Sequence, residues 1–223
     1  GVQTCALPIS LACAQEVIDS KRFEFMNDSI NNVYAYRNLS YIEKMARHEY
    51  VSSLYVYDLK EGRSDLFFKN LASCECVIAE GRKASIYSGM GQDLDIRSKN
   101  WFETPAGSAT EYVNKYMRGT QIPLLKLSEM YLIAAEASGD IRYLETLRAN
   151  RGYATDPLPA GANLQDEITK EYQKEFIAEG QLFYYYKRRN MAILPITSTS
   201  MNRATYVLPV PDNELEFGNF KQN

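Results

Sequence analysis

The strongest periodicity in the chain lies at Ile168, Tyr172 and Phe176, which recur every four residues, with Glu171, Glu175 and Glu179 one position earlier on an adjoining stripe. This spacing predicts a helix over Leu164 to Ala178, with Asn163 placed to cap it and Asp166 at its third position. After Gly180 the pattern restarts over Gln181 to Arg189. Leu182, Phe183 and Tyr186 there precede Lys187, Arg188 and Arg189, cations suited to the negative end of a helix. Upstream, Leu124, Leu127, Tyr131, Ala134 and Ala135 form a helical stripe, with Pro123 expected in its first turn and Ser138-Gly139-Asp140 closing it. A further helix follows through Ile141, Leu144, Leu147 and Arg148 to a terminal Gly152.

Weaker patterns fill the rest. Leu11 to Ser20 reads as a short amphipathic helix with Cys13, Val17 and Ile18 inward, and Ser40 with Glu43 forms a capping box for a helix through Tyr41, Ile42, Met45 and Ala46. Tyr50 to Leu59 is rich in β-branched and aromatic residues and predicts a strand, and Cys74 to Ala79 a second. The glycine-punctuated stretch from Gly81 to Ile122, holding Asp95, Arg97 and Trp101, is expected to be a long irregular region outside the core. Tyr206 to Leu215 is expected to be extended, pinned by Pro209 and Pro211.

The two helices joined at Gly139-Asp140, with a tyrosine and paired alanines in the first and leucines in the second, resemble one tetratricopeptide repeat. Such a pair cannot bury its own apolar face, so it implies neighbouring helices. The predicted fold is mainly α, a tetratricopeptide-like helical body with long irregular loops and a few short strands.

Composition narrows the chemistry. A net charge of -3 provides no positive field for a phosphate backbone, which argues against nucleic acid as a partner. His48 is the only histidine, so His-based metal sites are not expected, and no cofactor pattern is present. Cys74 and Cys76 form a C-x-C with no second ligand pair and read as packed, reduced thiols. Gly1 to Ile9 has no period, resembles the conceptual translation of a sequencing-library adapter, and is set aside with Cys5, leaving 10–223 as part of a single domain truncated at its N-terminus. Ser10-Leu11-Ala12-Cys13 has the form of a lipobox, but no basic segment or long apolar run precedes it, and Cys13 is read instead as a buried helix residue.

The segments DLDIRSKNWF (93–102), IPLLKLSEMYLIAAEA (122–137), YLETLRANRG (143–152), EYQKEFIAEGQLFYYYKRRN (171–190) and VLPVPDNELEFGN (207–219) resemble, in order and spacing, the C-terminal part of the SusD/RagB family. Glu175, Glu179, Gly180 and Arg148 belong to that signature. The resemblance implies a lipid-anchored protein on the outer face of the outer membrane of Bacteroidetes, part of a system like that for starch utilisation. Such a protein binds oligosaccharide, or in some members peptide, and caps a SusC-like TonB-dependent transporter. It also implies a missing N-terminal half that would carry the signal peptide and lipidated cysteine.

Candidate site residues follow from chemistry. Trp101, the single tryptophan, is expected to stack on a sugar, with Asp95 and Arg97 as hydrogen-bonding groups; the alternative is that Asp95 and Arg97 are a structural pair in a D-x-R turn. Glu171, Glu175 and Glu179 are close enough for a glycosidase pair, whose carboxylates stand roughly 5 to 9.5 Å apart. A single helical stripe of carboxylates more commonly pairs with basic residues, here Arg148, Arg188 or Arg189, so no catalytic residue is assigned. Tyr184, Tyr185 and Tyr186 point about 100° apart on a helix and cannot form one flat platform, so some must face inward. A tetratricopeptide-like scaffold and a glycoside hydrolase remain the other readings.

Overall fold

A computed structural model describes residues 2–25, 47–55, 77–79, 81–87, 94–104, 111–113, 115, 121–195 and 197–207, with 210, 211, 216 and 218. The predicted capping-box helix, the Cys74 and Cys76 pair and most of the proline-pinned tail lie outside these residues. Among the described residues the chain is mainly α and divides into two compact units, Gly1–Ala178 and Glu179–Asn223.

The first unit begins with α1 (Val2–Asp19), which includes most of the segment set aside for its lack of period and contains Pro8. Cys13 is exposed on it, not buried as the spacing suggested; Ala14 is the inward residue, packed with Met130 and Ala134 and flanked by Leu11, Val17 and Ile18. The strands β1 (Tyr50–Tyr55), β2 (Val77–Ile78), the helices α2 (Arg82–Ile86) and α3 (Ile96–Asn100), and β3 (Phe102–Glu103), β4 (Glu111–Val113) and β5 (Gln121–Lys126) follow. β1 pairs antiparallel with β5, Leu54 opposite Ile122 and Tyr55 opposite Gln121, while β4 lies between β2 and β3. Pro123 therefore sits in a strand opposite Ser53, where a helical first turn was expected. A proline pushes its predecessor toward extended backbone, and β1 supplies the partner that turns this preference into a strand.

The helical body is α4 (Leu127–Ser138), α5 (Ile141–Arg148) and α6 (Leu164–Glu175). α4 packs on α1, α5 and α6. Gly139 ends α4 in the left-handed region at φ 72°, a conformation glycine adopts without a Cβ penalty, and the Asp140 carboxylate then caps α5 by accepting from the Arg142 amide at 2.9 Å. Leu132, Ala134, Ala135, Leu144 and Leu147 are buried along these two helices. Each such leucine contributes about 1.5–3 kcal/mol by leaving water. α5 does not stop at Gly152 in a simple cap; it widens into a π-turn over Ala149–Tyr153, with Gly152 at φ 107°. A Cβ at Gly152 would stand 2.1 Å from the Leu94 carbonyl oxygen, so this close approach needs glycine.

The stretch read as a loop outside the core supplies part of it. Tyr87, Ile96, Arg97, Trp101 and Phe102 are all buried. Its helices are five residues long, too short for an amphipathic period to register.

In the second unit, α7 (Gln181–Arg188) and the helical turn α8 (Arg203–Tyr206) are joined through a hairpin in which Ile193 bridges Ser200. Tyr206, expected to be extended, closes α8 and donates its hydroxyl to the Met191 carbonyl at 2.8 Å.

Candidate functional site

The apolar stripe of α6 faces inward as its period requires: Ile168, Tyr172 and Phe176 are buried. Because Glu171 and Glu175 flank that stripe, they are carried inward with it, and each ends 1% exposed. A carboxylate taken out of water must be paired and hydrogen-bonded, and four segments supply the partners.

Asp95 caps α3, accepting the Arg97 amide at 2.9 Å, and receives the same residue's guanidinium through Nε at 3.0 Å and Nη2 at 2.8 Å. Arg97, itself 0% exposed, reaches across to α6, donating to Glu171 at 2.8 Å and to Glu175 at 3.0 Å. Arg151, delivered by the π-turn, donates to Glu175 at 3.1 and 3.2 Å and, as a two-pronged fork, to Glu49 at 2.6 and 2.7 Å. The Ser128 hydroxyl donates to Glu175 at 2.9 Å, and Lys174 to Glu171 at 2.9 Å. Arg148 joins Glu171 at 3.5 Å and the Asp156 carbonyl at 3.2 Å.

Lysines and rings close the end of α6. Lys115 and Lys126 both donate to the Glu175 carbonyl, placing cations at the negative end of the helix. Lys115 lies 3.9 Å over the Trp101 ring and Lys126 4.5 Å over Phe176. The Tyr87 hydroxyl donates to the Lys174 carbonyl at 3.2 Å. These contacts explain why α6 stops at Glu175 and not at Ala178, where periodicity placed its end.

The charges tune one another. Burial alone would raise the Glu171 carboxyl, but Arg97 and Lys174 outweigh it and hold the group down at about 2. Burial likewise opposes ionisation of Glu175, and Arg151, Lys126, Arg97 and Lys115 overcome it, holding its carboxyl well below the usual range. The guanidinium of Arg97 is penalised by burial yet kept charged by Asp95 and Glu171. Burial pushes the Tyr87 and Tyr153 phenols up.

The residues expected to read a sugar are thus interior. Trp101 is 4% exposed beneath Lys115, and Asp95 with Arg97 forms the D-x-R structural pair, extended to α6. Neither the ring nor the pair is presented to solvent. Glu171 and Glu175 come together but are both held ionised. Glycosidic cleavage needs one carboxylic acid with a raised pKa, so this pair lacks the acid. Arg148 pairs with Glu171, not with Glu175. Glu179 and Gly180 belong to the second unit, with Gly180 in the left-handed region at the start of α7. Among the described residues no cluster of His, Cys, Asp and Glu could hold a metal ion. The sequence reading missed Glu49, Lys115, Lys126, Ser128 and Lys174. The signal for Arg151 was there, since Arg148 and Arg151 lie three apart on the helix carrying Leu144 and Leu147.

The exposed aromatic is elsewhere. On α7, Tyr185 and Tyr186 are buried while Tyr184 is 70% exposed, as the 100° rotation between successive residues demands.

No family model matches the chain, and no curated protein matches it in sequence. Its structure is similar to the crystal structure of a candidate sugar binding protein from Bacteroides vulgatus, with a TM-score of 0.66 and 19% sequence identity over 92% of this chain. The chain spans 52% of that protein's length. The two share a fold.

Proposed function

We propose that this chain is the C-terminal part of a non-enzymatic glycan-binding protein of the SusD/RagB type. It captures oligosaccharide at the cell surface and hands it to a SusC-like TonB-dependent transporter in the outer membrane. In this reading a lipid anchor carried by the missing N-terminal region holds the protein to the outer face of that membrane.

The observation that carries this reading is the fold shared over 92% of the chain with a candidate sugar binding protein. The network supports it from within. The DLDIR, LRANRG and EYQKEF segments that carry the sequence resemblance meet in one ionic cluster, so their order and spacing have a three-dimensional reason. A binding role without hydrolysis is supported by the two α6 carboxylates, whose depressed pKa values leave neither of them a proton to donate to a glycosidic oxygen at neutral pH. The test is an array of plant, microbial and animal oligosaccharides, with bound glycans then incubated with the protein and assayed for new reducing ends. Saturable binding without new reducing ends is expected. New reducing ends, or binding to no glycan on the array, would overturn the reading.

A further inference from the structure

Tyr184 presents a ring to solvent from a helix that is otherwise fastened down. Its neighbours Tyr185 and Tyr186 are buried, so its exposure does not come from a frayed end. We propose that Tyr184 is a stacking site for one pyranose ring of an oligosaccharide. The inference rests on the glycan-binding reading above and gives it a place in the molecule.

Three features fit that occupant. First, the ring is braced. Phe183 stands at 79° to it with centroids 5.8 Å apart, making an aromatic corner. Phe183 in turn tilts against Tyr206 at 5.8 Å, and the Tyr206 hydroxyl is tied to the Met191 carbonyl. A platform fixed in this way loses little freedom when a ligand arrives. Second, the start of α7 is open. The residue four positions before Tyr184 is Gly180, the left-handed cap of that helix. Gly180 has no side chain, and nothing lies within 4 Å of where a Cβ would be. Third, the rim is polar. Gln181 and Lys187 stand three residues before and after Tyr184, on the same helix face. An amide and an ammonium can bond the hydroxyls that project around a stacked sugar, while the C–H face of the pyranose lies on the ring. An apolar surface with a few placed polar groups is the usual composition of a small-ligand site.

The strongest glycan from the array is titrated by calorimetry into the unaltered protein and into Tyr184→Ala and Tyr184→Phe, with thermal melts confirming that all three are folded. Alanine is expected to weaken binding about tenfold and phenylalanine to stay within about twofold, because the ring and not its hydroxyl does the stacking. Unchanged affinity in Tyr184→Ala would overturn this inference and leave the proposed function standing. Absence of binding by the unaltered protein to every glycan overturns both. A self-associated species on size exclusion that Tyr184→Ala dissolves would also overturn it, assigning the ring to an interface between copies of the chain.

Discussion

Arg97 donates to three carboxylates at once, and one of them, Glu175, is also held by Arg151, Ser128 and Lys126. Removing one member of such a buried group costs more than the pair contributes, since the remaining charges stay out of water without compensation. Glu175→Gln, which keeps the shape and removes the charge, is therefore expected to destabilise the protein by about 3 kcal/mol or more in urea unfolding. The control is Glu167→Gln, whose partner Lys170 is mostly in solvent, and which should change stability by less than about 1 kcal/mol. The position of Glu175 beside an apolar stripe was readable in the chain. Its partners were less so: Arg97 lies 78 residues away, and the spacing that marks Arg148 and Arg151 does not say which of the two reaches Glu175. Trp101 shows the same limit. A lone tryptophan among glycines looks available to a ligand until the fold places a lysine over it.

The helices that were legible are those with at least two turns, and α5 and α6 also carry a chemical start signal in Asp140 and Asn163. Asn163 begins α6 by accepting from the amides of Gln165 and Asp166 at 2.9 and 3.2 Å. Asn163→Ala is expected to cost about 1 kcal/mol, read as a lowered midpoint of chemical unfolding with an unchanged slope. The far end of α6 was not legible, because it is set by lysines 60 and 49 residues upstream of Glu175. The strand β5 was misread for a related reason. Leucines at 124, 125 and 127 suit a helix or a strand, and only pairing with β1 decides between them. The helices α2 and α3 escaped notice because five residues complete little more than one turn.

Taken together, the buried charges make the stability of the first unit a function of acidity. Glu171 falls from an ordinary 4.5 to about 2 in the folded state, and Glu175 is lowered as well. A lowered carboxyl pKa means that the unfolded chain takes up protons first, so this stability is fully present above about pH 4.5 and is lost as pH falls toward about 2. Urea midpoints measured from about pH 7 down to about pH 3 should fall steeply below about pH 4.5, and less steeply in Glu175→Gln, which lacks one of the titrating groups. The mainly α architecture followed from periodicity and from the order of its segments, whereas the surface that meets a ligand depends on which rings the packed helices leave outside. The reach of the Arg97 contacts also bears on how the protein is made. A ribosome adds roughly 5–20 residues per second, so about 4 to 16 s pass between synthesis of Arg97 and arrival of Glu175, 78 residues later. Until α6 emerges with Glu171 and Glu175 the guanidinium has only Asp95 beside it, and the nascent α3 must stay hydrated.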